Sequence, residues 1–193
     1  MPSVAYNTWN NTRLPELDRI EVAHARVGGV GRGRRFTTHQ INQAYAVLLS
    51  SQFQGFCRDL HSESVDIIVS AVNPHALQMP LRSEFLLNRK LDKGNPCSGN
   101  IGSDFNRLGL LFWDEVNNAD ARNARRQNLI EALNDWRNAI AHQDFSSQAL
   151  RGQTQLRLAD VRRWRVACEG LAIHFDAIVR DHIGSIIGRL PWN

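Results

Sequence analysis

Three polar residues stand close together where good helix formers would have served as well: Arg137, Asn138 and His142, in the stretch Asp135-Trp136-Arg137-Asn138-Ala139-Ile140-Ala141-His142-Gln143-Asp144. A guanidinium, an amide and an imidazole at this spacing have the chemistry to act on a phosphodiester. The guanidinium grips phosphate through a rigid donor fork and stabilises charge that builds on the non-bridging oxygens. An imidazole, whose reference state titrates near neutrality, takes or gives a proton, worth roughly 10² to 10⁴ in rate when positioned. The amide orients the imidazole or a phosphate oxygen. RNA brings its own nucleophile, the ribose 2′-hydroxyl, so no metal-activated water is required. In-line attack on the adjacent phosphorus breaks the bond to the 5′-oxygen and leaves a cyclic phosphate and a free 5′-hydroxyl.

Helical geometry makes Asn138 and His142 neighbours on one face, since they are four residues apart. Arg137 and His142 are five apart, about 140° around an ideal helix. They reach one phosphate if the arginine wraps round, if the last turn unwinds, or if a second subunit completes the cleft. Purely structural roles are also open: Arg137 pairing with Asp135 or Asp144, and His142 closing the helix against its dipole.

Arg137-Asn138 followed by His142 is similar to the Arg-(four to six residues)-His signature of the HEPN superfamily. The Ala141-His142 ending and the preceding Leu133-Asn134-Asp135-Trp136 add to the likeness. The wider layout, an early helix, a Gly-Arg loop and a long helix reading Ala46-Val47-Leu48-Leu49-Ser50-Ser51-Gln52-Phe53-Gln54-Gly55-Phe56, resembles the subgroup named RiboL-PSP-HEPN. The resemblance implies a helical bundle, often dimeric, and often a ribonuclease of toxin–antitoxin or anti-phage systems. It implies catalysis by Arg137 and His142 with Asn138 in support, RNA as substrate, and an antitoxin or other regulatory protein as a partner. In one respect the chain departs: relatives often carry an acidic residue where Gln54 stands, so a contact supporting the site is expected to differ.

Further arginines extend the pattern. Arg122, Arg125 and Arg126 share a helical face ahead of the candidate site and offer a phosphate track, or else a solvated surface offset by Asp120 and Glu131. Arg34 and Arg35 close the basic stretch Gly28-Gly29-Val30-Gly31-Arg32-Gly33-Arg34-Arg35, an RNA-contacting arm or a solvated connector. Of the 23 basic residues only Lys90 and Lys93 are lysine. That bias suits phosphate recognition, and equally a bias of the source genome. No metal site is legible: His61-Ser62-Glu63 lacks companions, and no histidine pair has ligand spacing. The glycines lack the strand-then-helix setting of a dinucleotide site. No cofactor is expected.

The elements that must position these residues are helices almost throughout. Hydrophobic spacing predicts helices over about Thr12–Val27, Thr37–Val72, Leu81–Leu91, Phe105–Val116, Asp120–His142 and a last one after Gln155. The last carries Val161, Trp164, Cys168, Leu171, Phe175, Ile178 and His182 at alternating spacings of three and four, with His182 read as a hydrogen-bonded core histidine. Glycine density predicts a mobile loop over 28–36, and the breakers of Asp92-Lys93-Gly94-Asn95-Pro96-Cys97-Ser98-Gly99-Asn100 a loop over 92–102. Asn73-Pro74 should end the long helix. The expectation is one all-α domain over 1–193, a HEPN-like bundle of four main helices with additional short ones.

Composition agrees with that reading. At 193 residues, 42% hydrophobic and 22% charged, the chain can bury a substantial core unaided. No apolar run reaches membrane-spanning length, no secretory leader is visible at the start, and three dispersed cysteines read as free thiols, so a cytoplasmic protein is expected. The functional expectation is a metal-independent endoribonuclease acting as a homodimer. The rivals are an inactive HEPN-like module that binds RNA, a nucleotide or a protein, and a structural domain that joins a partner through the apolar face of its last helix.

Overall fold

The structure is a computed structural model that describes residues 1–27, 35–146, 148, 150, 152–153 and 155–192; of residues 35–37 it describes the backbone. Helix α1 (Val4–Thr8) passes through a π-helical turn, Trp9–Arg13, into α2 (Leu14–Val27). The long α3 (Arg35–Ser70) follows, then a 3₁₀ turn at His75–Leu77 and α4 (Gln78–Leu86). Two short helices, α5 (Lys90–Lys93) and α6 (Ser98–Asn106), lead to α7 (Phe112–Ala119), α8 (Asn123–His142) and α9 (Leu158–Ile187). Among the described residues there is no strand. The fold is all-α, and α2, α3, α8 and α9 are its principal helices.

Helix α3 buries Tyr45, Leu49, Phe53, Phe56 and Leu60 at spacings of four, four, three and four, so one stripe faces inward for most of its length. Phe53 meets Phe175 of α9 with ring centroids 6.0 Å apart, and Phe175 lies edge-on to Phe112 at 4.7 Å. Each such side chain stabilises the fold by about 1.5–3 kcal/mol through burial alone. Tyr45 is hydrogen-bonded by Arg165 at 3.3 Å while Phe53 touches Phe175, so α3 and α9 run parallel. Asp120 beside His174, and Arg126 beside Gly170, set α8 antiparallel to α9 and therefore to α3.

The stripe of α9 holds over Val161, Trp164, Cys168, Leu171 and Phe175 and then slips by one position. Val179 and Ile183 are buried at its end, while Ile178 and His182 are half-buried. A straight helix drifts about 20° per heptad against a strict 3.5-residue repeat, which moves the buried position one residue onward. His182 nonetheless finds the carbonyl of Leu108, at 2.9 Å. Because this face is the core itself, it is closed to a partner, which removes the mode of association expected for a structural domain.

Several expectations need correction. Helix begins at Val4, not Thr12, because Ala5, Trp9 and Leu17 are buried and Glu63 of α3 accepts hydrogen bonds from the N–H groups of Val4 and Ala5 at 3.0 and 2.9 Å. The loop expected over 92–102 shrinks to the residues between Lys93 and Ser98. From within α6, Asp104 accepts the N–H groups of Lys90 and Leu91, both at 2.8 Å, and so caps α5. The expected Phe105–Val116 helix is broken between α6 and α7, and Leu111 is exposed at the break. Of the basic loop expected over 28–36, residues 28–34, Arg34 among them, lie outside the described residues; Arg35 and Phe36 belong to the first turn of α3.

Candidate active site

Arg137, Asn138 and His142 occupy the last two turns of α8, which stays α-helical through His142. Gln143 then takes the left-handed conformation, φ 56°, ψ 30°, and its N–H returns to the carbonyl of Ala139, as does that of Asp144 at 3.0 Å. This closure satisfies orphan carbonyls without unwinding the turn that holds His142. Of the three routes by which Arg137 could join His142, unwinding is therefore excluded. The ring of Trp136 anchors the turn in the core, 2% exposed, and meets Phe145 just beyond the helix at 6.4 Å.

Asn138 and His142 line one surface cleft of about 340 Å³, together with Ala139, Asp135 and Asp144. Both are exposed, and the His142 ring makes no hydrogen bond or ion pair among the described residues. Arg137 does not pair with Asp144. Its Nη1 turns back instead to Oδ1 of Asn138, 3.4 Å away, which carries the guanidinium toward the face that holds His142. Oδ1 of Asn138 also accepts a hydrogen bond from Nδ2 of Asn95, at 2.5 Å. A guanidinium can only donate, so the oxygen of Asn138 must face Arg137 and its NH₂ is left for the cleft.

Asn95 is itself held from α3. Gln54 donates its amide nitrogen to the carbonyls of Leu91 and Gly94, at 2.7 and 2.8 Å, and Asn100 donates to the carbonyl of Asn95 at 2.8 Å. Glu131 of α8 fixes the far end of the same loop by accepting the N–H of Ser98. Gln54 thus acts as a donor to two carbonyls, work that a carboxylate in its place would be unable to do. The altered contact expected at this position is a loop clamp one step removed from Asn138. Asn95 gave no signal as a site residue: Asn95-Pro96 reads as a turn, and only the tertiary fold brings it to α8.

The other expected RNA-binding arginines sit apart. Arg122 and Arg125 are about 30 and 26 Å from His142 along α8, from the helical rise. Arg122 and Arg126 both bind Asp120, at 2.8 and 3.1 Å, and hydrogen bonds from Arg122 hold that carboxyl well below the usual range. Arg126 also donates to Asn123 at 2.7 Å and is largely buried, whereas Arg125 is exposed. The side chain of Arg35 lies outside the described residues. No group of three or more His, Cys, Asp or Glu is placed to hold a metal ion among the described residues, and none of their helices is long and apolar enough to cross a membrane.

Comparison with known proteins adds one finding. The family model described as RiboL-PSP-HEPN matches residues 19–181 of the chain. No curated protein and no solved structure matches it.

Proposed function

The chain belongs to the RiboL-PSP-HEPN family, and from that premise we propose that it is a metal-independent endoribonuclease that cleaves RNA by attack of the ribose 2′-hydroxyl, in a toxin–antitoxin or anti-phage setting in the cytoplasm. The observation that carries the reading is the end of α8. Among the described residues, an imidazole that makes no hydrogen bond or ion pair and an amide NH₂ border one cleft there, with a guanidinium turned toward them that pairs with no carboxylate.

In this reading Arg137 and the NH₂ of Asn138 hold the non-bridging oxygens of the scissile phosphate and take up the charge that develops on them. His142 moves a proton: either off the 2′-hydroxyl as its oxygen bonds to phosphorus, or onto the departing 5′-oxygen. The helix is intact between Arg137 and His142, so two routes to one phosphate remain: the turned-back Arg137 of the same chain, or a second copy whose arginine serves with this histidine. In the proposed function the protein is a homodimer in which the second route operates, and an antitoxin or other regulatory protein would act by covering the cleft.

Asp135 and Asp144 border the same cleft. Two carboxylates oppose a phosphate, and they favour a second reading in which the site is inactive and the protein is a HEPN-like module that binds RNA, a nucleotide or a protein. The deciding experiment is cleavage of labelled single-stranded RNA and transfer RNA in excess EDTA by wild type, Arg137→Ala and His142→Ala. Cyclic-phosphate ends in wild type alone support the nuclease. Intact RNA with folded wild-type protein rejects it.

A further inference from the structure

The loop between α5 and α6, which orients Asn138, is edged by cations that the candidate active site does not use. Lys90 and Lys93 of α5 are the two lysines of the chain, and both are exposed. Lys93 stands two residues before Asn95, so their Cα atoms are at most about 7 Å apart. Its Nζ donates to Oδ1 of Asn88 at 2.9 Å, which leaves further N–H donors on the ammonium. Arg58 of α3 is exposed and lies one turn, about 6 Å, beyond Gln54, the residue that holds Leu91 and Gly94. The carbonyl of Arg58 accepts Nη1 of Arg89 at 3.2 Å, which fixes that turn of α3 beside α5. Among the described residues, none of the side chains of Arg58, Lys90 and Lys93 pairs with a carboxylate.

The neighbouring carboxylates are already engaged. Asp92 accepts Nη2 and Nε of Arg89, at 2.7 and 3.1 Å, and those bonds hold its carboxyl below the ordinary value, with nearby Arg58 adding to the effect. Asp59 pairs with Arg13 at 2.5 Å. Asp104, 1% exposed, is spent on two N–H groups of α5. Positive charge is therefore left on this edge of the loop. At its other edge the loop reaches the cleft, where Nδ2 of Asn95 and Nη1 of Arg137 meet on one oxygen of Asn138, at 2.5 and 3.4 Å. The arginines at the start of α8 have no such continuity with the cleft, and Arg122 and Arg126 are held by Asp120.

We propose that Arg58, Lys90 and Lys93 form a phosphate track that carries a single RNA strand from the cleft across the α5–α6 loop, with Arg137 on the scissile phosphate and these three on phosphates outside the scissile bond. The assignment rests on the RNA-directed reading above and adds the path of the strand to it. Contacts to phosphate position a strand without reading its bases, so the track favours no sequence.

Binding without cleavage tests the path. In the His142→Ala background, a labelled single-stranded RNA nonanucleotide is titrated by fluorescence anisotropy over a range of salt. Arg58→Gln, Lys90→Gln and Lys93→Gln, all at exposed positions, should each lower the salt slope by about 0.7, the value for one phosphate on a single strand. Arg189→Gln should leave it unchanged, because that exposed arginine lies near Ser70, about 18 Å farther along α3 than Arg58. The proposal is overturned if the nonanucleotide does not bind, if the slope is unchanged in the three variants while thermal melts show them folded, or if Arg189→Gln lowers it equally, which would make the effect one of bulk charge. Polyglutamate that displaces the RNA at equal charge would also overturn it, and would assign the surface to an acidic protein. If the slopes fall as expected while wild type cuts no RNA, the nuclease reading fails and the track stands.

Discussion

Nδ2 of Asn95 lies 2.5 Å from Oδ1 of Asn138, across 43 residues of sequence. The contact orients the Asn138 amide, and through it the guanidinium of Arg137, from a loop that carries no catalytic group of its own. Replacing Asn95 by Ala is therefore predicted to slow cleavage roughly ten- to a hundredfold, the cost of misplacing a positioned group, with little change in melting temperature. Asn95→Asp, which sets a carboxylate against Oδ1, should slow it at least as much. Single-turnover cleavage beside thermal melts checks this; full activity in both variants would remove Asn95 from the site.

Gln54 tests the clamp behind that loop. Gln54→Glu at neutral pH replaces a donor by a third acceptor facing two carbonyls, and is expected to destabilise by about 2–4 kcal/mol. Gln54→Met loses the bonds without adding charge and should cost less. Because a protonated carboxyl regains an O–H donor, the Gln54→Glu deficit should narrow as pH falls through the carboxylate range, whereas the Gln54→Met deficit should not. Urea melts at two pH values read both effects.

Burial, with the Arg89 guanidinium adding to it, holds the His61 imidazole down to about 4, while its Nε2 bonds the carbonyl of Asp104 at 3.1 Å. Below about 6.5 the unfolded chain binds the proton and the folded chain does not, so stability is lost as pH falls from about 6.5 toward 4. This one residue accounts for about 3 kcal/mol of that loss. His61→Gln should flatten the decline over that window; an unchanged pH slope would assign the acid sensitivity elsewhere.

Arg125 and Arg126 are adjacent in sequence but differ in role. Arg126 is tied to Asp120 and Asn123 against α9, so Arg126→Ala is predicted to lower the melting temperature. Arg125 is exposed. If it contacts RNA phosphate, Arg125→Ala leaves the melting temperature unchanged and reduces the salt slope of RNA binding by about 0.7, the value for one phosphate on a single strand. An unaltered slope would make it a solvated surface residue.

The sequence by itself determined the principal helices and, over most of α3 and α9, their inward faces. The spacing of Phe53 and Phe56 on α3, or of Val161 to Phe175 on α9, is local information, because a 3.6-residue period decides which side chains share a face. It also determined the candidate chemistry, since Arg137, Asn138 and His142 are close along the chain and their types are suited to phosphate and proton transfer. Tertiary structure alone decided the rest. Whether Asn95 reaches Asn138, whether Glu63 caps α1 and Asp104 caps α5, and whether Arg126 is free for RNA or bound to Asp120 depend on groups from distant segments. Those partnerships are set by how the helices pack, and a polar group carries no mark in the sequence of the distant donor or acceptor that packing will bring to it.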